Sequence, residues 1–496
     1  MSRKLLLVLA LTAACGTTVP QAAQVTGTSA GLGAVVPTSD AQAPTGTGGG
    51  TSTTSGDGAA SGGGTGGSGP SSTSGLPTTT APGVTGPTAV ALPGTKTTAP
   101  LQIGLMAAGD AVSANSAIGR SAPTDWKYPE AIPAFVRAIN AQGGLAGRKV
   151  SVITSYINVS SSNYDTEATA ACANFTQDHH VALVMSFDGS FYSEPFSSCI
   201  AKAKVPEITL LDGGTDAATL NRYPLLFSPQ APTLERRFSA LVSGLADSGV
   251  ITAKHKVGVV VEGCPSNQKV YASVLEPQLK RRGITAVSRE VNCVHGFGDA
   301  AGYIASVQAT VLPLRSAGVD QVVFVSGFEQ VGAQYFEQQA ATQGWKPTYL
   351  LTSAGGAGYN DSQLSADAEA RVQGVGWRPS KDVTTLPAGN AQVARCHALW
   401  RSYPPAANRG NANTVFPVCE AFFFVEAGMK RTAGHTEPTV LAAGLRGLGT
   451  SYLSPSEIDG ETLFSSTRKD GPRLFSAFRF VSSCSCVRYS GRPFAV

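Results

Sequence analysis

The fold is most clearly indicated by the stretch Ile139-Asn140-Ala141-Gln142-Gly143-Gly144-Leu145-Ala146-Gly147-Arg148-Lys149-Val150. It continues an apolar stripe with helical spacing, formed by Ile132, Phe135, Val136 and Ile139. Gly143 and Gly144 allow the positive φ angles of a helix C-cap and turn, because glycine has no Cβ. The stretch therefore predicts a helix that ends near Asn140 and turns back sharply.

Strands are predicted on both sides of this helix. After the turn, Val150, Val152 and Ile153 alternate with polar residues, which is typical of a strand. Upstream, residues 102–106 are a second short apolar run. A β-loop-α-turn-β unit of this kind builds a parallel sheet through right-handed crossovers.

The same alternation continues from residue 100 to the C-terminal region. Further strands are predicted at 181–185, 207–211, 257–261, 285–291, 322–325, 349–351 and 475–481. Helices are predicted at 164–178, 190–203, 268–282, 300–316, 330–343, 388–402, 415–431 and 436–446. A break near 228–232 divides the series, which favours two α/β lobes over one very large sheet.

The turn at residues 140–150 resembles the signature turn of the branched-chain amino-acid (leucine-binding) family of type 1 periplasmic binding proteins. The resemblance extends through the order of strands and helices to about residue 480. It implies a two-lobed α/β fold, each lobe a mostly parallel sheet flanked by helices, with a ligand cleft between the lobes. Lobe I would comprise 100–228 and 378–460, and lobe II 229–377 and 461–496.

The N-terminal residues 1–15 are interpreted as a signal peptide. Arg3 and Lys4 precede the short apolar run of residues 5–11, which cannot span a bilayer. Residues 11–15 resemble a bacterial lipobox, in which Cys15 would be lipidated. Thr12 departs from the usual aliphatic residue, so a plain secretory signal is the alternative. Either reading predicts an extracytoplasmic protein in the cell envelope, and the first anchors it to the membrane by lipid.

Residues 16–99 consist mainly of Gly, Ser, Thr, Pro and Ala. Such a composition buries too little apolar surface to offset its ordering entropy, so a disordered tether is predicted. The formal charge of +4, with 14% charged residues in 496, gives no reason to expect nucleic acid as a partner.

Nine cysteines suggest an oxidising compartment. Without Cys15 the number is even, and the simplest interpretation is four sequence-local disulfides, although sequence alone does not choose among the pairings. The pairs would be Cys172 with Cys199, Cys264 with Cys293, Cys396 with Cys419, and Cys484 with Cys486. No metal site or cofactor is predicted, because residues 484–486 lack a second ligand pair and His179-His180 fall at a turn.

A ligand is expected beyond the carboxyl ends of the strands, as in other open α/β sheets. Four loops should line that cleft: residues 107–110, 187–190, 212–215 and 326–329. Gly189-Ser190 also begin a predicted helix, whose free N–H groups favour an anionic group. Simple N-capping is an equally good interpretation of Ser190.

The resemblance implies roles for individual residues. Gly214 and Thr215 match a family loop whose threonine helps to hold the ligand carboxylate, and Phe328 matches an aromatic residue that covers the ligand. Asp188 falls where a serine normally meets the carboxylate, though a two-residue shift would place Ser190 there. The family glutamate that pairs with the ligand ammonium falls near Ala354-Gly355. Glu329 and Glu262 are candidate replacements, and solvated loop carboxylates are the alternative.

Three classes of function follow. The resemblance favours a solute-binding lipoprotein, a monomer, that captures a small polar ligand (amino-acid-like, amide or related) for the permease subunits of an ABC importer. A ligand sensor or surface interaction protein on the same fold is the alternative, since fold does not determine function. An enzyme is not expected, because none of the four predicted cleft loops contains a histidine to act as a base.

Overall fold

The computed structural model describes residues 99–120, 128–187, 192–210, 214–358, 363–401 and 412–496. The predicted signal peptide, the lipidation site Cys15 and nearly all of the predicted tether lie outside these ranges. So do Asp188 and Ser190.

The first sheet has five parallel strands in the order β2-β1-β3-β4-β5. They are β1 (Leu101–Ala108), β2 (Val150–Ile157), β3 (Leu183–Phe187), β4 (Glu207–Thr209) and β5 (Leu226–Phe227). The helices between them are α1 (Ala111–Ala117), α2 (Tyr128–Ala141), α3 (Tyr164–Ala173, continued by a π-helical turn at Asn174–Asp178), α4 (Glu194–Lys202) and α5 (Ala217–Arg222).

The second sheet has seven strands in the order β12-β11-β10-β9-β8-β6-β7. They are β6 (Lys256–Glu262), β7 (Thr285–Val291), β8 (Gln321–Val325), β9 (Thr348–Thr352), β10 (Val372–Gly376), β11 (Leu474–Val481) and β12 (Cys486–Ala495). Strands β6 to β10 pair in parallel, whereas β11 and β12 are antiparallel. The accompanying helices are α6 (Leu234–Asp247), α7 (Pro265–Val270), α8 (Glu276–Arg281), α9 (Ala300–Ser316), α10 (Glu329–Thr342) and α11 (Ala366–Glu369).

Helices from the C-terminal third of the chain pack against the first sheet. They are α13 (Ala391–Trp400), α14 (Ala412–Arg431) and α15 (Pro438–Arg446), whereas the short α12 (Pro379–Asp382) contacts β10 and β12 of the second sheet. Trp400 and Phe422 join Phe135 and the β1 residue Ile103 in one buried cluster. The Trp400 and Phe135 rings stack with their centroids 4.9 Å apart. The chain thus returns to the first sheet before it supplies the last two strands of the second.

Three crossing segments between the sheets lie side by side. Ser228 N donates a 2.9 Å hydrogen bond to Lys469 O. The indole Nε1 of Trp377 donates to Gln230 O at 3.0 Å. These contacts join the segment after β5, the segment after β10 and the segment before β11. The three segments that connect the two lobes are together called the hinge region.

The turn after α2 shows why its residues fit this position. Asn140 Nδ2 donates to Val150 O at 2.8 Å, and Val150 N donates back to Asn140 Oδ1 at 2.7 Å. Gly144 has φ +82°, and a Cβ there would lie 1.8 Å from Arg148 O. Only glycine fits so close an approach of backbone to backbone.

The alternation of strands and helices predicted from the sequence is confirmed, but the strands β5, β10 and β12 and the helices α1, α5, α6, α11 and α12 were not predicted. Strand β5 has only two residues, too few for a periodic pattern. Strand β10 contains Gly374 and Gly376, which weaken the strand pattern. A Cβ at Gly374 would lie 2.1 Å from Leu351 O, so the close packing of the sheet requires glycine. Strand β12 carries Arg488, Arg492 and Pro493 on a half-exposed edge, where alternation is weak.

The described cysteines form the four local disulfides that were the simplest interpretation. Cys172 pairs with Cys199, Cys264 with Cys293, Cys396 with Cys419, and Cys484 with Cys486. Within the part of the chain that the structure describes, no helix has both the length and the apolar character needed to cross a bilayer.

Candidate functional site

The carboxyl ends of the two sets of parallel strands face each other. Phe297 N, in the loop after β7, donates a 2.9 Å hydrogen bond to Val159 O, in the loop after β2. Asp216, at the start of α5 beyond β4, places its carboxylate 4.0 Å from the Lys269 ammonium on α7, which follows β6. A ligand between these loops would contact both lobes, at the position where open α/β sheets bind ligands.

Thr215 lies in the loop between β4 and α5. Its side chain is buried, with 4% exposure, and its Oγ1 has no hydrogen-bond partner among the residues that the structure describes. A buried hydroxyl without a partner is uncommon and requires an explanation, such as a water or a ligand. The Thr215 hydroxyl can therefore form a hydrogen bond to a ligand without breaking one within the described part of the protein.

The backbone around Thr215 is held tightly against the hinge region. Leu234 N donates to Thr215 O at 3.1 Å. Gly214 has φ +72°, and a Cβ there would lie 2.8 Å from Pro232 O. Ala217 N donates to the Glu235 carboxylate at 2.9 Å. The backbone of residues 214–217 thus packs beside the segment that crosses between the lobes.

Phe328 lies between β8 and α10 and is 5% exposed. Its ring packs edge-on against Phe297, with centroids 5.4 Å apart, and against Tyr303 at 5.8 Å. Its backbone N–H donates to Ser326 Oγ at 2.8 Å. The ring therefore joins the loops after β7 and β8 in one aromatic cluster.

Glu262, at the end of β6, is buried with 3% exposure. Its carboxylate accepts hydrogen bonds from Ser326 Oγ at 2.7 Å, Gly327 N at 2.9 Å and Val294 N at 3.0 Å. Burial raises the pKa of Glu262 above its usual value, and these hydrogen bonds oppose that rise. The carboxylate holds together the loops that follow three neighbouring strands.

Glu329, the first residue of α10, is completely buried. It forms an ion pair with Arg237 and accepts hydrogen bonds from Thr352 N at 2.8 Å and Thr352 Oγ1 at 2.5 Å. Arg237 Nε donates to the same Thr352 hydroxyl at 2.9 Å. Since both glutamates are buried and hydrogen-bonded, the alternative of solvated loop carboxylates is wrong.

The Glu329 carboxylate also lies next to Gly355. A Cβ at that glycine would be 3.0 Å from Glu329 Oε1. This is the region where the resemblance implies a glutamate that pairs with a ligand ammonium. Here the nearby carboxylate comes from α10 and is already neutralised by Arg237, so a ligand ammonium would have to compete with a buried guanidinium.

Comparison with solved structures shows which fold this is. No protein-family model and no curated protein matches the sequence. A substrate-binding protein of an ABC transporter from Desulfitobacterium hafniense, in complex with leucine, is 18% identical, with a TM-score of 0.54 over 79% of this chain and 100% of that one. A branched-chain amino-acid ABC transporter protein from Thermus thermophilus, with bound valine, is 13% identical, with a TM-score of 0.57 over 80% and 97%.

A third structure extends the range of ligands among these neighbours. It is a solute-binding protein of an ABC transporter from Rhodopseudomonas palustris in complex with 3,4-dihydroxybenzoic acid. It is 15% identical, with a TM-score of 0.55 over 80% of this chain and 98% of that one. The fold is that of the type 1 periplasmic binding proteins. At these identities the likeness establishes the fold, and the function has to be argued from the site.

In this type 1 binding fold, the structure brings Gly214, Thr215, Glu262, Phe328 and Glu329 to the facing strand ends. Asp188 and Ser190, predicted for the same cleft, lie outside the described residues. Asp110, in another predicted cleft loop, accepts from Val159 N at 2.8 Å and so supports the loop after β2.

Sequence reasoning missed Arg237 as the partner of Glu329. The available signal was the position of Arg237 on the buried face of α6, which also carries Phe238 and Leu241. Glu262 also lies near Cys264 and Cys293, with their carboxylate and sulfur atoms within 4.8 Å of one another, close enough to hold a metal ion. Both sulfurs belong to one disulfide, so neither offers the thiolate that binds metals.

Proposed function

We propose that the protein is an extracytoplasmic solute-binding protein that closes its two lobes on a small polar ligand and delivers it to an ABC importer. The observation that carries this proposal is the Thr215 hydroxyl, which is buried at the facing strand ends without a partner in the described structure. Neighbours with the same fold support it, since they include a substrate-binding protein and a solute-binding protein of ABC transporters.

The ligand class that fits best carries a carboxylate. Thr215 would donate a hydrogen bond to it, and Asp188 or Ser190 would lie on the same side of the cleft. Leucine, valine and 3,4-dihydroxybenzoic acid, the ligands of the three neighbours, share a carboxyl group. An amino group is not essential to this proposal, because Glu262 and Glu329 are engaged in hydrogen bonds within the protein.

Phe328 would cover the ligand from lobe II, while Gly214 and Thr215 would contact it from lobe I. Glu262 and Glu329 take a supporting role in this proposal, since they hold the loops that carry Phe328. A ligand that touches both lobes gains most of its contacts in the closed form, and it shifts the population by its differential affinity for that form.

We also propose how the binding domain is exported, anchored and divided into lobes. Residues 1–15 would direct export, Cys15 would carry lipid, and residues 16–99 would tether the binding domain to the membrane. The lobe limits would be 100–228 with 378–460, and 229–377 with 461–496. The protein would act as a monomer with permease subunits as its partners and without catalytic activity.

The ligand can be identified by mass spectrometry of small molecules released when the purified full-length protein is denatured. We expect a small carboxylic acid, bound again by the refolded protein with a stoichiometry of one. Calorimetric titration with that compound then tests the site. A ligand whose binding is unchanged by mutation of Thr215 would contradict the proposed cleft.

A further inference from the structure

A second cavity lies beside the hinge region, next to the segments that follow β10 and α15. Ile458 N donates to Trp377 O at 3.1 Å and joins these two segments. The cavity is open to solvent on one side and has a volume of about 50 Å³. Its apolar wall includes Leu386, Val393 and Phe416, and its polar wall includes Ser380, Ser456 and Glu457. None of its lining residues belongs to the strand-end loops of the inter-lobe site.

The polar wall contains buried groups whose hydrogen bonding is incomplete. Glu457 is 5% exposed, and neither of its carboxylate oxygens has a hydrogen-bond partner among the described residues. The Ser380 hydroxyl, in a residue 2% exposed, likewise has none within the described ranges. Buried polar atoms are nearly always satisfied by protein, water or ligand, and two such residues on one cavity indicate a missing partner.

The neighbours of Glu457 show what kind of partner is missing. Two other buried acids, Glu420 and Asp382, act on it electrostatically, as do Arg378 and Arg236. Glu420 accepts from Tyr452 Oη at 2.9 Å, and Asp382 accepts from Tyr489 Oη at 2.7 Å. Each of these acids therefore has a donor, whereas Glu457 has none in the described structure.

Charge adds to this argument. Burial raises the pKa of Glu457 well above its usual value, Glu420 and Asp382 raise it further, and Arg378 and Arg236 oppose the rise. A bound cation would lower the pKa of Glu457 and so oppose the effect of the two neighbouring acids. A cation that also carries N–H donors would satisfy the Glu457 oxygens, which a charge alone at longer range would not.

We propose that this cavity is a second ligand site, which binds a small primary alkylammonium ion. The ammonium group donates to the Glu457 carboxylate and the Ser380 hydroxyl, and the alkyl chain lies against Val393 and Phe416. One water molecule needs about 10–15 Å³ of such a cavity, so about 50 Å³ holds a molecule of roughly four non-hydrogen atoms. Propylammonium and ethanolammonium have this size.

A metal ion fits the cavity less well. Calcium requires about six to eight oxygen ligands, and magnesium a near-ideal octahedron. One side of the cavity is formed by Leu386, Val393 and Phe416, which offer no oxygen ligands from their side chains. An ion with a polar head and an apolar body matches both walls.

The test is calorimetric titration of the purified full-length protein with propylammonium chloride, at constant ionic strength. We expect saturable binding with one site, and about a ten- to hundred-fold loss of affinity in Glu457→Gln, because a charge-assisted hydrogen bond becomes a neutral one. Ser380→Ala should weaken binding by roughly three- to ten-fold. Propanol, which has the same shape without the charge, should not bind.

Glu461→Gln is the matched control, because Glu461 lies in the same segment but its side chain is 40% exposed and paired with Arg473. Its affinity for propylammonium should equal that of the wild type. Thr215→Val should also leave this binding unchanged, which separates the hinge cavity from the inter-lobe site. Absence of saturable binding, equal affinity in Glu457→Gln, or equally tight binding of sodium or potassium would overturn the proposal.

Discussion

Arg237 and Glu329 form an ion pair in which the two side chains are 1% and 0% exposed. It connects α6, the first helix after the hinge, to the start of α10, directly behind Phe328. A buried pair of this kind contributes little relative to apolar packing, but removing one partner leaves the other charge buried and is costly.

The first prediction concerns this pair. Arg237→Met should lower the free energy of unfolding by about 3–5 kcal/mol, because the Glu329 carboxylate would remain buried without its counter-ion. Urea unfolding of the full-length protein measures this. The control is Arg222→Ala, which removes an exposed pair with Glu194 and should lower the free energy of unfolding far less than Arg237→Met does. A similar loss in both variants would show that burial does not determine the effect.

The second prediction concerns the ligand site. Thr215→Val should weaken binding of the natural ligand by about ten- to hundred-fold if the acceptor is a carboxylate. It should not destabilise the unliganded protein, because the Thr215 hydroxyl has no partner to lose within the described structure. Calorimetric titration and urea unfolding measure the two quantities separately.

Thr462→Val is the control for that variant. The Thr462 hydroxyl donates to Tyr452 O at 2.7 Å, so its loss should cost about 1 kcal/mol of stability and no affinity. If Thr215→Val behaved in the same way, with unchanged affinity and lower stability, Thr215 would be a structural residue.

The third prediction concerns pH. Burial raises the pKa of Glu420 to about 7, although hydrogen bonds from Ser454 and Tyr452 oppose this. The folded state therefore binds more protons at this residue than the unfolded state between about pH 4 and 7. Its contribution to stability should fall as the pH rises through that window, by at most about 1.4 kcal/mol per pH unit.

Urea unfolding of wild type and Glu420→Gln at several pH values between 4.5 and 8 tests this. The glutamine side chain retains an acceptor for the Tyr452 hydroxyl but does not titrate. The difference in stability between the two proteins should move in favour of Glu420→Gln as the pH rises. A constant difference would mean that Glu420 has the same pKa in both states.

The fourth prediction concerns the cysteines and the anchor. Because four disulfides account for eight cysteines, thiol titration of the denatured, unreduced protein should find no more than one thiol, and none if Cys15 is lipidated. Cys15→Ala should then move the protein from the detergent phase to the soluble fraction. Four or more reactive thiols would exclude the pairing, and unchanged partition would indicate another anchor.

Features that depend on residues close together in the sequence could be predicted. The turn at 139–150 is an example, because the fit of its glycines and the Asn140–Val150 hydrogen bonds are local. The disulfides are another, since the largest separation within a pair is 29 residues. Helical and strand periodicity located most of the elements, but the strands β5, β10 and β12 and the helices α1, α5, α6, α11 and α12 were not predicted. Glycine interrupts the pattern in β10, and arginine interrupts it in β12.

Side-chain environments could not be predicted, because they depend on which distant segments meet. The sequence by itself indicated that Glu262 and Glu329 lie at or after the ends of strands, and it predicted a lobe boundary near residue 230. Only the tertiary structure decided that Arg237 neutralises Glu329 and that the Thr215 hydroxyl is left without a partner in the described chain. Burial and charge pairing are properties of the packed lobes and the hinge, and they decide whether a carboxylate is available to a ligand or supports the fold.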